Sequence, residues 1–194
     1  SPYGWHDDDG IDGAEHTITR GNNVHAYEDR SAANVPIYSP DGTGSLLFNF
    51  PIDFNDFPLD YEDASITNLF YVSNMMHDIF YHYGFDEASG NFQEDNFSRG
   101  GNGSDNILAE AQDGSGTCNA NMSTPSDGGN PRMQMYVCGL RDGDFDNSVI
   151  VHEYGHGISI RLTGGPSTSG CLNNQEQMGE GWSDWFGPVM TMQA

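Results

Sequence analysis

Two histidines four residues apart, with a glutamate directly after the first, limit the fold of this chain more than any other feature. His152-Glu153-Tyr154-Gly155-His156 places imidazoles at positions that stand one above the other only if the backbone is helical. There both rings reach one ion, and neutral imidazole nitrogens suit zinc, a borderline-soft cation that takes four ligands. Glu153 then lies about 100° round the helix, beside the ion but off the ligand axis. Its carboxylate can take a proton from metal-bound water, whose pKa the ion lowers to roughly 7. Val149-Ile150-Val151 upstream makes this a buried helix, and Gly164-Gly165-Pro166 marks its end.

A catalytic zinc needs a third protein ligand and leaves its fourth position to water. Glu176, Glu180 and Asp184 are the downstream candidates. Glu180 and Asp184 share a helix face, so one can bind the ion while the other holds a ligand imidazole through its second nitrogen. Spacing alone does not choose among the three and favours Glu180 only slightly over Glu176.

The rest of the chain supplies the frame. Its 194 residues, 36% hydrophobic and 12% aromatic, indicate one folded domain rather than disorder. Acidic residues number 29 against 6 basic, a formal charge of −23, and every basic residue is Arg. Such a surface repels phosphate backbones and anionic leaflets, so neither nucleic acid nor membrane is expected as a partner. The charge reads as a solubility device, typical of secreted, salt-exposed or calcium-rich settings; composition leans towards export without deciding between export and the cytosol.

Residues 1–60 read as short strands and turns, Ser45-Leu46-Leu47-Phe48-Asn49-Phe50 among them. Helical spacing of Ile66, Leu69, Phe70, Met76, Phe80 and Tyr83 predicts a helix over about 65–84, capped by Ser65 and stopped by Gly84. Within it His77 and His82 do not share a face. Residues 132–138 alternate as a strand, and a last helix is expected from near Gln175. The expected fold is therefore α+β. A β-rich lobe with one long helix and a hairpin at about 117–138 occupies 1–147, and the metal helix and the start of a helical lobe occupy 148–194.

If 117–122 and 132–138 pair as a hairpin, Cys118 and Cys138 come within bridging distance, which leaves Cys171 free or bonded elsewhere. Asp142-x-Asp144-x-Asp146-Asn147 offers alternating hard oxygen ligands, a possible calcium loop or an ordinary acidic turn.

The metal motif followed by Gly179-Glu180-Gly181-Trp182-Ser183-Asp184 closely resembles the fungalysin family of thermolysin-like zinc metallopeptidases. The resemblance extends to Ser1-Pro2-Tyr3-Gly4-Trp5-His6, Thr19-Arg20-Gly21-Asn22-Asn23, Asn74-Met75-Met76-His77-Asp78, Ala111-Gln112-Asp113-Gly114-Ser115-Gly116-Thr117 and Leu162-Thr163-Gly164-Gly165-Pro166. It implies a thermolysin-like zincin whose catalytic zinc is bound by His152, His156 and Glu180, with Glu153 as general base and Asp184 as the partner of His152. It further implies that Asn119 and Ala120 hold the substrate backbone on an edge strand, by β-augmentation. The start at Ser1-Pro2 resembles a mature terminus left by propeptide removal from a zymogen. The resemblance implies a secreted endopeptidase acting on proteins or peptides.

Enzymes of this kind also use an oxyanion donor, usually a histidine of the helical C-terminal lobe, and no histidine follows His156 here. That lobe is expected to be largely missing from this chain and supplied by a complementary C-terminal half as a second chain, a heterodimer. The rival from another class is a catalytically silent scaffold or binding module stabilised by zinc. Glu153 argues against it, because a purely structural zinc site has no use for a base beside its ligands.

Overall fold

Alternation along four short strands decides which side of the central sheet is core. In the computed structural model, which describes residues 3–176 and 178–192, these strands are β1 (Val24–Glu28), β2 (Ile107–Ala111), β3 (Ala120–Ser123) and β4 (Arg132–Met135). Their order is β1-β2-β4-β3. The β1–β2 and β2–β4 pairs are parallel, and β3 is an antiparallel edge on β4. Val24, Ala26, Ile107, Ala109, Ala111, Met133 and Met135 sit two apart on their strands and form one buried cluster, as a period of two requires. Across the intervening positions runs a polar row. Tyr27 donates to Glu110 at 2.8 Å and Gln134 donates to it at 2.9 Å, while burial pushes the Glu110 carboxyl up to about 7.

The first long helix, α1 (Glu62–His82), lays Ile66, Leu69, Phe70 and Met76 into that cluster. It begins earlier than Ser65 because a 3-10 turn, Pro58–Tyr61, leads directly into it, and Glu62 and Asp63 occupy its first turn, where carboxylates complement the helix dipole. Ser65 is instead a buried interior residue that returns its hydroxyl to the Glu62 carbonyl. At the other end Gly84, at φ +95°, makes the stop. His77 is buried and His82 is not.

No strand forms over 45–50 among the described residues. Thr43 and Leu46 take positive φ around a 3-10 turn, a path no ladder can follow. Phe48 stacks on His6 at 5.4 Å instead. The strand expected over 132–138 breaks at Tyr136, and β5 (Val137–Cys138) pairs with β6 (Arg141–Asp142) in a separate ribbon. Cys118 and Cys138 form a disulfide, and Cys171 is exposed and unbridged. Ser1, Pro2, Gln193 and Ala194 lie outside the described residues.

Helix α2 (Asn147–Thr163) carries the histidines, and Asp146 caps it by accepting from the Ser148 amide. Ile150, Val151, Tyr154 and Ile158 enter the core. Gly157 has to be small, because a Cβ there would stand 2.9 Å from the Phe92 ring. The carboxy-terminal end is anchored by Arg161, which is fully buried. It pairs with Asp105 at 3.0 Å and Asp127 at 3.3 Å and donates to the carbonyls of Pro125, Gly90, Ser126 and Gly129. A buried guanidinium is tolerable only when so completely paired.

The last helix, α3 (Gly179–Thr191), starts after Gln175 because the Asn174 side chain accepts from the Glu176 amide, a local turn that competes with helical bonding. It packs along α2, and Phe186 meets Phe80 of α1 edge to face.

The acidic run before α2 does not gather its three carboxylates into one group. Asp146 caps the helix, Asp142 accepts from the Asp144 amide and from Gln112 Nε2, and Asp144 accepts from the Gln112 amide. All four of these contacts are donors to the carboxylates. Asp144 is fully buried, with one oxygen lacking any partner. Burial and the neighbouring Asp142 charge push its carboxyl well above the usual range. Folding therefore favours protonated Asp144. That contribution is complete below the unfolded carboxylate pKa of about 3.9 and is lost as pH rises through the folded value. Asp144→Asn keeps an acceptor for Gln112, gives Asp142 a donor and cannot ionise. It is expected to raise Tm at pH 7–8, by about 2–4 °C per kcal/mol recovered, and to leave it unchanged near pH 3. Calorimetry across pH checks this; an equal shift at both ends would contradict the protonated state assigned to buried Asp144.

Candidate active site

On α2 the i, i+4 spacing brings the rings of His152 and His156 to a centroid distance of 4.7 Å, with their Nε2 atoms 3.0 Å apart. Glu180, in the first turn of α3, reaches the same point. Its Oε2 is 3.2 Å from His152 Nε2 and 3.3 Å from His156 Nε2. Asp184, one turn further along α3, accepts from His152 Nδ1 at 3.0 Å. What lets α3 approach is Gly155, between the histidines: a Cβ there would fall 2.9 Å from Ser183 Oγ and 3.0 Å from the Phe186 ring.

These contacts fit a cation. With Nδ1–H given to Asp184, neutral His152 presents only a lone pair at Nε2, and that lone pair faces a carboxylate oxygen. Two acceptors at this separation repel unless a positive charge lies between them. Ligands of a tetrahedral zinc at about 2.0–2.1 Å lie about 3.3 Å from one another, which the spacings of Glu180 from both rings match. The ligand atoms of His152, His156 and Glu180 all lie within 4.8 Å of one another. Glu176 is exposed and stays out of that group.

Glu153 is buried beside His152, 6% exposed. Burial above all, and the Glu180 charge after it, push its carboxyl up to about 7, against the pull of His152. A carboxyl whose pKa sits near working pH both holds and releases a proton readily. Desolvation also lowers the pKa of His156, keeping the ring neutral and able to ligate.

Asn119 is exposed just ahead of β3, and Ala120 begins that strand. A cavity of about 690 Å³ opens beside them, reaching Val149 on the first turn of α2. Sequence reading missed its aromatic side, where Phe54, Tyr61 and Phe145 meet edge to face. Loop residues so far apart in the chain carry no periodic signal. It also missed Arg161, which the absence of any other basic residue near 150–165 could have flagged.

Comparison with known proteins gives a consistent picture. Residues 1–194 match the model of the fungalysin metallopeptidase (M36) family. Similar curated proteins include extracellular metalloproteinase 2 of Arthroderma otae and extracellular metalloproteinase 3 of Trichophyton tonsurans. Each is 45% identical, over 99% of this chain and 31% of the relative. Extracellular metalloproteinase 2 of Trichophyton rubrum is 44% identical with the same coverage. The chain spans about a third of the length of these relatives.

Proposed function

The chain belongs to the fungalysin metallopeptidase family, and from that premise we propose that it provides the metal-binding and proton-transfer half of a secreted zinc endopeptidase site. One observation carries the reading: His152 Nε2, His156 Nε2 and Glu180 Oε2 converge on one point with a buried carboxyl, Glu153, beside it. The extracellular naming of the relatives supports secretion. Among the described residues no helix is long and apolar enough to cross a membrane.

His152, His156 and Glu180 would hold the zinc, which when bound acts as a Lewis acid on water and on the scissile carbonyl. Asp184 keeps the His152 ring in the tautomer that leaves Nε2 free. Asn119 and Ala120, at the open edge of the sheet, hold the peptide extended. Glu153 takes a proton from the attacking water as its oxygen bonds to the carbonyl carbon. It then passes that proton to the departing nitrogen as the C–N bond breaks, leaving a carboxylic acid and an amine.

In this reading residues 1–147 form the β-rich lobe of a thermolysin-like fold and 148–194 begin the helical one. The oxyanion donor comes from a complementary C-terminal portion, as a second chain or a continuation. The greater length of the relatives supports this. So do Trp182 and Trp185 on α3, 39% and 60% exposed, an apolar face that a partner would cover.

Casein hydrolysis by the secreted protein, abolished by o-phenanthroline and restored by zinc, is the expected result; hydrolysis indifferent to the chelator would refute the proposal. Asp184→Asn is expected to weaken zinc affinity or activity by about 10–100-fold, measured by zinc titration and kcat/KM.

A further inference from the structure

The Cys118–Cys138 disulfide sits where the peptide-binding edge begins. Cys118 directly precedes Asn119 and Ala120 and is held at φ +53°, a left-handed conformation that a residue other than glycine keeps only when its surroundings enforce it. Cys138 ends β5, whose partner β6 leads through the Asp142–Asp146 turn into the cap of α2. One covalent bond therefore ties the start of the edge strand to the segment that launches the metal-site helix. Between them lies the 690 Å³ cavity, lined by Cys118, Asn119, Ala120 and Cys138 together with Asp146 and Val149.

The two ends of the hairpin are held differently. Its far end, at Pro125, Ser126 and Gly129, is fixed to Arg161 through backbone carbonyls. At the near end, two backbone bonds of 3.2 Å, Cys118 N to Val137 O and Tyr136 N to Asn119 O, precede the regular pairing that starts at Ala120 and Met135. Opening the disulfide would loosen the end next to the site and leave the other in place.

We propose that the Cys118–Cys138 disulfide is a positioning element for the peptide substrate: it fixes the separation between the edge strand and the metal-site helix, and so the fit of substrate residues in the cavity between them. This rests on the peptidase reading above. It assigns the bond an effect on substrate binding, not on the metal or the proton transfer, which lie on α2 and α3.

The test uses the full-length secreted protein carrying Cys118→Ala with Cys138→Ala. Two internally quenched peptides serve as substrates, one long enough to fill both sides of the scissile bond and one too short to reach the cavity. For the long peptide KM is expected to rise by about 5–20-fold with kcat within about 3-fold, and for the short one both are expected to hold within about 2-fold. Zinc content should stay at about one per molecule. A lower Tm with unchanged KM on both peptides would make the bond a plain staple and overturn the proposal. Loss of zinc, or an equal fall in kcat on both peptides, would overturn it too. Should the double variant not be secreted, wild-type protein is treated with a phosphine reductant. Both cysteines are exposed; opening of this bond is verified by mass, and the same two KM values decide. Wild-type protein without chelator-sensitive hydrolysis would instead refute the peptidase reading, and this inference with it.

Discussion

Glu153→Gln is expected to stop peptide hydrolysis while the protein keeps its zinc. The amide has the shape of the carboxyl, so a buried position next to His152 accepts it without a cavity or a new charge. What it lacks is a lone pair basic enough to take the proton of the attacking water. Loss of a positioned general base costs about 10²–10⁴ in rate, and here the same group also returns the proton to the leaving amine, so the upper end applies. The measurement is kcat on a quenched peptide with zinc determined on the same sample. Zinc lost together with activity would make Glu153 a ligand, and the division of roles between Glu153 and Glu180 would be wrong. Retained activity would point to another base.

Glu180→Ala is expected to lose zinc and activity together, whereas Glu176→Ala keeps both. Glu180 contributes a carboxylate oxygen that lies 3.2–3.3 Å from both imidazoles. Removing it leaves two ligands, too few for the three-protein-ligand arrangement of a catalytic zinc. Replacing a group that merely supports a ligand weakens metal sites by about 10–100-fold, and deleting a ligand should exceed that. Dialysis against a weak chelator followed by metal analysis separates the variants. Glu176 stands only four residues away in sequence, so it controls for charge: it removes one negative charge from the same region of a strongly acidic chain. Equal zinc retention in the two variants would sink the assignment of Glu180.

The helix bearing His152 and His156 could be read without coordinates, because a spacing of four, an apolar triplet and a Gly-Gly-Pro stop are all local. The Cys118–Cys138 pairing was open to the same kind of reading, since hairpin partners are near in sequence. Ser65 misled because good capping chemistry exists there, yet the Pro58–Tyr61 turn had already begun the helix. Ser45–Phe50 misled because its apolar burst resembles a strand. Phe48 in it finds a stacking partner in His6, 42 positions earlier, and nothing local announces that contact. The start of α3 was misplaced for a smaller reason, one Asn side chain diverting the Glu176 amide.

The sequence by itself determined which atoms could meet an ion from one helix, that a carboxylate stands between them, and that Glu180 and Asp184 share a face. Each of these follows from helical periodicity, which acts within a few residues. Only the tertiary structure decided that α3 crosses α2 at Gly155, closely enough to bring Glu180 and not Glu176 to the imidazoles. It also decided that Arg161 anchors the helix through two aspartates and four carbonyls, and that Asp142 and Asp144 crowd each other. The physical reason is range. Backbone hydrogen bonding and side-chain spacing are fixed by neighbours along the chain. Close approach, desolvation and charge pairing depend on which distant segments the core packs together.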